Sequence, residues 1–306
     1  MGNYLPRVDE LPQAVSELVE VEAGSQVLCH CHFQPEAVRA SRPTALIVHG
    51  LEGSSESQYV VGNANKLWKA GGNVIRMNMR NCGGTERLTP TLYHSGFSAD
   101  VEAVLRYFVS RYGLESVSLI GYSMGGNLVL KLAGDLGASA PRELKSVIGV
   151  SPAVDLGPSA DALHEPINRL YELKFLRALV RKFRRKAALF PELYDPARTE
   201  GLRSLREFDD RITAFYCGFA GASDYYYRAA AARVLDRIAV PALILHALDD
   251  PFVRLTAETR AVILGNPAIT YLETAHGGHC AFLEEADGDD GYWAERTLLG
   301  FLLKNA

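Results

Sequence analysis

Apolar and polar residues alternate near the start of this chain; from residue 44 onward the apolar ones gather in short runs separated by helical spacing. Residues 17–22 and 26–33 alternate about Gly24, as the two arms of an antiparallel hairpin do. Thr44-Ala45-Leu46-Ile47-Val48 is a continuous run, the pattern of a strand buried on both faces of a parallel sheet. Similar runs occupy 73–77, 117–120, 144–150, 242–246 and 268–272. Helical spacing fills the gaps at 59–69, 97–112, 127–136 and 255–263, and the amphipathic segment 291–304 closes the chain. Residues 225–238 are expected to form one more helix packed on the sheet, and residues 1–15 an arm laid over the body. Strands alternating with helices imply a doubly wound α/β fold with a mostly parallel sheet.

Between Val150 and Ala242 the pattern changes. Leu170, Leu173, Leu176, Val180, Phe183 and Ala187 recur at three- and four-residue steps, one apolar helical face. Arg181, Lys182, Arg184, Arg185 and Lys186 fall around it and read as a solvated outer face, with anionic lipid as the alternative contact. The chain is therefore divided into a first core part, 1–152, a helical cap insertion, 153–222, and a second core part, 223–306. A long connection, 78–96, carries Arg80, Tyr93, His94 and Ser95; loops of that length in a compact domain usually serve function.

Composition narrows the class without deciding it. The 306 residues are 48% apolar, enough for a large core, and the net charge of −4 sets up no field favouring nucleic acid or membrane. The N-terminal residues lack the basic and apolar regions of a secretory signal, and no apolar run approaches the ~18 residues of a membrane span. Five scattered cysteines fit reduced thiols in a cytoplasmic protein. Cys29-His30-Cys31-His32 resembles a metal set, but period two sends cysteines and histidines to opposite faces of a strand. No metal or other cofactor is expected.

The chemistry centres on Gly121-Tyr122-Ser123-Met124-Gly125, which lies between an apolar run and a helical pattern. A serine on such a strand-to-helix turn has its hydroxyl pushed beyond the sheet. An alcohol needs a base to become a nucleophile at neutral pH, and the base needs a carboxylate to hold its tautomer. In an open parallel sheet these groups gather at the carboxyl ends of strands. Asp249 and Asp250 follow the 242–246 run, and His276 and His279 follow the 268–272 run. Asp250, beside Pro251, is favoured as acid over Asp249; His279, after two glycines, is favoured as base over His276. The oxyanion needs two amide donors: Met124, which follows the serine, and Leu51, in the loop after the 44–48 strand.

Taken together, His49-Gly50-Leu51-Glu52-Gly53-Ser54-Ser55, Tyr93-His94-Ser95-Gly96, the Ser123 pentapeptide, Phe208-Asp209-Asp210-Arg211, Asp249-Asp250-Pro251-Phe252 and His276-Gly277-Gly278-His279 resemble the YheT-like branch of the α/β-hydrolases. That branch is related to abhydrolase-domain esterases and yeast medium-chain acyl-ester synthases. The resemblance implies an α/β-hydrolase fold and a cofactor-free serine carboxylesterase with Ser123 as nucleophile, Asp250 as acid and His279 as base. One departure is Asn81 in Arg80-Asn81-Cys82-Gly83-Gly84, where the branch leads one to expect glycine.

The reading is a serine esterase for short- to medium-chain acyl esters, a small-molecule enzyme of unassigned oligomeric state. Transfer of the acyl group to an alcohol is the first alternative, separable by product analysis with added ethanol. A catalytically silent binding module on the same scaffold is the second, separable by labelling with a fluorophosphonate. Tyr93, His94 and Ser95 read either as substrate contacts or as a structural polar network. Arg211 is expected to pair with Asp210 or Asp224 and anchor the cap, Tyr225-Tyr226-Tyr227 to pack beneath it, and Cys82 and Cys280 to be buried small hydrophobes.

Overall fold

A computed structural model describes residues 5–286 and 290–306; Met1 to Tyr4 of the expected arm lie outside the described residues. The chain opens with the hairpin β1 (Val15–Glu22) and β2 (Ser25–His32), a short helix α1 (Glu36–Arg39), β3 (Thr44–Val48), α2 (Gln58–Lys69), β4 (Asn73–Met77) and α3 (Ser98–Tyr112). Then come β5 (Val117–Tyr122), α4 (Met124–Leu136) and β6 (Leu144–Val150). A helical segment follows: α5 (Leu156–His164), α6 (Arg169–Leu189), α7 (Leu205–Phe208), a π-helical stretch Asp209–Ala214, α8 (Phe215–Cys217) and α9 (Ala222–Ala229). The chain returns through β7 (Ala242–Ala247), α10 (Ala257–Gly265), β8 (Ile269–Thr274) and α11 (Trp293–Asn305).

The eight strands form one sheet in the order β1-β2-β4-β3-β5-β6-β7-β8. β1–β2 and β2–β4 are antiparallel, and every other neighbouring pair is parallel. The continuous apolar runs are explained by this position: β3, β4 and β5 are buried at every residue because helices cover both faces. On one face Val101 and Leu105 of α3 and Leu128 and Leu132 of α4 join the core. On the other, Val60 and Ala64 of α2 pack with Leu298 and Leu302 of α11. The described part of the N-terminal arm lies along this second face, with Arg7 paired to Glu295 at 3.0 Å. In β2, Cys29 and Cys31 enter the core while His30 accepts or donates to the Ser16 hydroxyl on the other face.

Four expectations need correction. Residues 225–238 do not make one helix: α9 ends at Ala229, and two 3₁₀ turns, Ala231–Arg233 and Leu235–Arg237, follow. α9 instead packs its Tyr225 and Tyr226 with Leu156 of α5. The buried face of α6 is rotated from the one expected. Leu176, Phe183 and Ala187 are buried as expected, but Glu172, Leu179, Lys182 and Lys186 join them, whereas Leu170 is 82% exposed. Lys182 and Lys186 are thus not part of a solvated face. Among the described residues Arg211 forms no ion pair; it donates to the Glu200 carbonyl, while Asp210 accepts from the Ala222 amide and Asp224 pairs with Arg228.

The 78–96 connection is built rather than loose. Arg80, 2% exposed, makes a two-pronged pair with Asp100 at 2.6 Å on each arm and also reaches Glu22 at 2.7 Å. Asn81 stands where glycine was expected and has φ +63°, a left-handed conformation that asparagine tolerates better than most residues. Its side chain donates to the Thr91 carbonyl at 2.9 Å and accepts from the buried Lys186 ammonium at 2.7 Å. Lys186 also reaches the carbonyls of Glu86 and Thr89, so one lysine of α6 ties three points of this connection.

Candidate active site

Ser123 sits between β5 and α4 with φ +54° and ψ −115°, a strained conformation for a residue with a side chain. The flanking glycines are required by close approach. A Cβ on Gly121 would lie 2.2 Å from the Gly125 carbonyl oxygen, and one on Gly125 2.4 Å from that of Val48. The turn is fixed on the sheet side by the Ser123 amide donating to the Val150 carbonyl at 2.9 Å. Behind it, the buried Asn127 of α4 donates to the carbonyls of Ser95 and Ala229 and accepts from the Ala231 amide.

Of the two candidate acids and two candidate bases, the structure brings together Asp250 and His279. His279 Nδ1 lies 2.8 Å from Asp250 Oδ2, and the other carboxylate oxygen accepts from the amides of Phe252 (3.1 Å) and Val253 (2.9 Å). Burial works against charge on Asp250, but His279 and these amides outweigh it and hold the carboxyl below its ordinary range. Burial also opposes charge on His279; the adjacent Cys280 sulfur and the Asp250 carboxylate overcome it, and its pKa is raised well above 6.5. With Nδ1–H committed to Asp250, the neutral ring carries its lone pair on Nε2. Phe252 lies against the ring, centroid to centroid 4.3 Å. Asp249 and His276 stay outside: Asp249 accepts from the Gly278 amide at 2.7 Å, and the His276 side chain is 91% exposed.

The two proposed oxyanion donors flank Ser123. Met124 opens α4, where an amide has no acceptor within its own helix. Among the described residues neither it nor the Leu51 amide donates to a protein acceptor. The loop carrying Leu51 is pegged from beneath by His49. Its Nδ1 donates to the Gly50 carbonyl at 2.8 Å and its Nε2 accepts from the Met79 amide at 3.1 Å. Burial drives the His49 pKa down to about 4, so this ring is a neutral spacer rather than a base.

Ser123 opens onto two cavities. One, of about 1100 Å³ including its mouth, runs beneath the cap and is walled by Leu51, Leu163, Phe175, Leu179, Phe183 and Val253. Its polar fringe includes His94, whose burial lowers its pKa to about 3, and Asp209, which burial raises to about 6. The Tyr226 and Thr213 hydroxyls donate to Asp209 at 2.7 and 2.8 Å. Ser95 is tied to Tyr225, so the Tyr93-His94-Ser95 stretch both forms a polar network and lines the cavity. The second cavity is bounded by Ser123, His279, Glu56, Ser57 and Tyr59.

Sequence reasoning passed over Asn127, Phe252, Glu52 and Lys182. For Lys182 the signal was present: it shares the helical face of Leu179, Phe183 and Lys186. Counting it with its basic neighbours concealed that.

Residues 43–286 match the model of the alpha/beta hydrolase fold family. The chain belongs to the α/β-hydrolase family. It is 34% identical over 244 residues to a protein of Escherichia coli named putative esterase YheT, covering 79% of this chain and 71% of that protein. It is 32% identical to a mouse protein named phospholipase ABHD3, over 80% of this chain and 59% of that one. These relatives place this α/β-hydrolase in the YheT-like branch. The structure superposes on a Pyrococcus furiosus esterase with a TM-score of 0.61 at 13% identity, covering 95% of this chain and 92% of that one, a likeness of fold.

Proposed function

We propose that this α/β-hydrolase is a serine carboxylesterase that cleaves short- to medium-chain acyl esters through an acyl-enzyme. The observation that carries the reading is the Asp250–His279 pair, whose histidine shares a cavity with a serine held at φ +54°. His279 Nε2 takes the Ser123 proton as Oγ adds to the ester carbonyl, and the oxyanion forms against the Leu51 and Met124 amides. The imidazolium then returns the proton to the alkoxide, and alcohol leaves. Because His279 borders the second cavity, the alcohol is assigned to that side and the acyl chain to the apolar cavity under the cap. Water, activated by His279, deacylates Ser123.

The same acyl-enzyme could pass its acyl group to an alcohol; the second cavity, with Ser57 and Tyr59 beside His279, is where that acceptor would sit. Product analysis with added ethanol separates the two, since ester formed in excess of acid would replace hydrolysis by transfer. The deciding experiment is fluorophosphonate labelling of wild type and Ser123→Ala, followed by a chain-length series of p-nitrophenyl esters. Labelling that survives the substitution refutes the nucleophile. No helix among the described residues is long and apolar enough to cross a membrane. We assign the protein to the cytoplasm on its unpaired cysteines, which localisation of a tagged chain checks.

A further inference from the structure

We propose that Glu52 is a positioning residue for the oxyanion site, clamped by Lys182 of the cap, so that seating of α6 and readiness of the Leu51 amide are one event. This rests on Leu51 being an oxyanion donor in the reading above. Glu52 directly follows Leu51 in a turn closed by the Gly53 amide donating to the Gly50 carbonyl at 3.0 Å. Its φ is +57°, a conformation that glycine adopts freely and a residue with a Cβ does not. The backbone alone would therefore be better served by glycine; what glutamate adds is its carboxylate.

That carboxylate joins three separate parts of the chain. The Tyr93 hydroxyl donates to Glu52 Oε1 at 2.5 Å, and Lys182 Nζ lies 2.7 Å from the same oxygen. Lys182 also donates to Cys82 Sγ at 3.1 Å and stands 4.8 Å over the Tyr93 ring. The two charged side chains are only 11% and 14% exposed, so salt screens them weakly, and separating them would leave each charge poorly solvated. Tyr93 and Cys82 come from the core connection; Lys182 alone comes from the cap helix that walls the acyl cavity. When α6 lifts to admit an ester, Glu52 loses its cation and the strained turn can relax, withdrawing the Leu51 amide. When a chain fills the cavity and α6 settles, Lys182 returns and the donor is reset. The cap thus gates chemistry as well as access.

The test measures kcat and KM on a p-nitrophenyl acyl ester, and inhibition by an alkylboronic acid whose tetrahedral adduct with Ser123 needs the oxyanion site. Glu52→Gln and Lys182→Met should each lower kcat about tenfold to a hundredfold, with KM within about twofold, because a misplaced donor costs the transition state and not the substrate. Boronate affinity should fall in parallel, and the double variant should lose no more than the worse single one. Glu52→Gly relieves the backbone but leaves Lys182 without its carboxylate, so kcat should still fall. A kcat within twofold of wild type in Glu52→Gln and Glu52→Gly, or a loss confined to KM, overturns the proposal. Wild-type labelling by fluorophosphonate separates the failures. No labelling sinks the esterase reading itself, whereas normal labelling with normal Glu52 variants sinks only the clamp.

Discussion

Two aspartate–histidine pairs lie side by side at the carboxyl end of the sheet, built from the same residue types. Asp250 and His279 are 2.8 Å apart, with side chains 0% and 17% exposed. Asp249 and His276 are 3.5 Å apart, with side chains 44% and 91% exposed. Burial removes the competition of water from the first pair, and the Phe252 and Val253 amides fix its carboxylate in place. The second pair is solvated, and a surface ion pair contributes little to stability or to setting a pKa. The same residue types one and three positions away therefore meet a different environment.

The largest effect that could break this contrast is on turnover. His279→Ala and Asp250→Asn should each lower kcat/KM about a thousandfold or more, the asparagine by favouring the wrong tautomer. Measured on p-nitrophenyl esters, the corresponding changes at His276 and Asp249 should stay within about twofold. Equal losses in the two pairs would end the distinction.

Next comes pH. A base must be neutral to act, and the His279 pKa is raised above 6.5. The kcat/KM profile should rise with pH along a limb centred above 6.5, by about tenfold per pH unit on its acid side. Stability should run the other way. The raised pKa means that the charged ring favours the folded state. That contribution is full below pH 6.5 and is lost as pH rises through the folded pKa, so Tm should fall as the rate climbs. The lowered pKa of Asp250 acts in the opposite sense at acid pH: its contribution is present above the unfolded carboxyl pKa and lost as pH falls through the folded one. Substituting His276 should shift neither limb.

A third measurement concerns what keeps the active-site walls rigid. Lys186→Met should destabilise the fold by about 3 kcal/mol in urea unfolding, because Asn81 and the carbonyls of Glu86 and Thr89 lose a buried donor. The smallest effect is expected at Asp249→Ala. Gly278 loses one partly exposed acceptor, worth about 1 kcal/mol or less by thermal unfolding.

Much of this was legible in the chain. Continuous apolar runs located β3 to β8, most of them covered on both faces, and apolar–polar alternation located the β1–β2 hairpin at the sheet edge, where one face is partly solvated. Ser123 was legible because close strand–helix packing demands glycine at 121 and 125, which leaves a local signature. The cap was harder to read. Leu170 and Leu173 fit the helical spacing of α6, but the buried face is the one that meets Phe252 and the 78–96 connection, which spacing cannot identify. The 225–238 stretch misled for a related reason. Its helix-forming residues were overridden at Ala231, whose amide is claimed by Asn127, more than a hundred residues earlier.

By itself, the sequence determined the sheet, the strained serine and the residue types that chemistry requires, since these follow from local sterics and short-range periodicity. It also offered two neighbouring aspartate–histidine pairs as candidate acid and base and favoured Asp250 and His279. Only the tertiary structure decided which pair is buried, which lysines of a basic run turn inward, and that Glu52 meets Lys182 across 130 residues of chain. Burial and ion pairing depend on what lies opposite, and residues distant in sequence supply it.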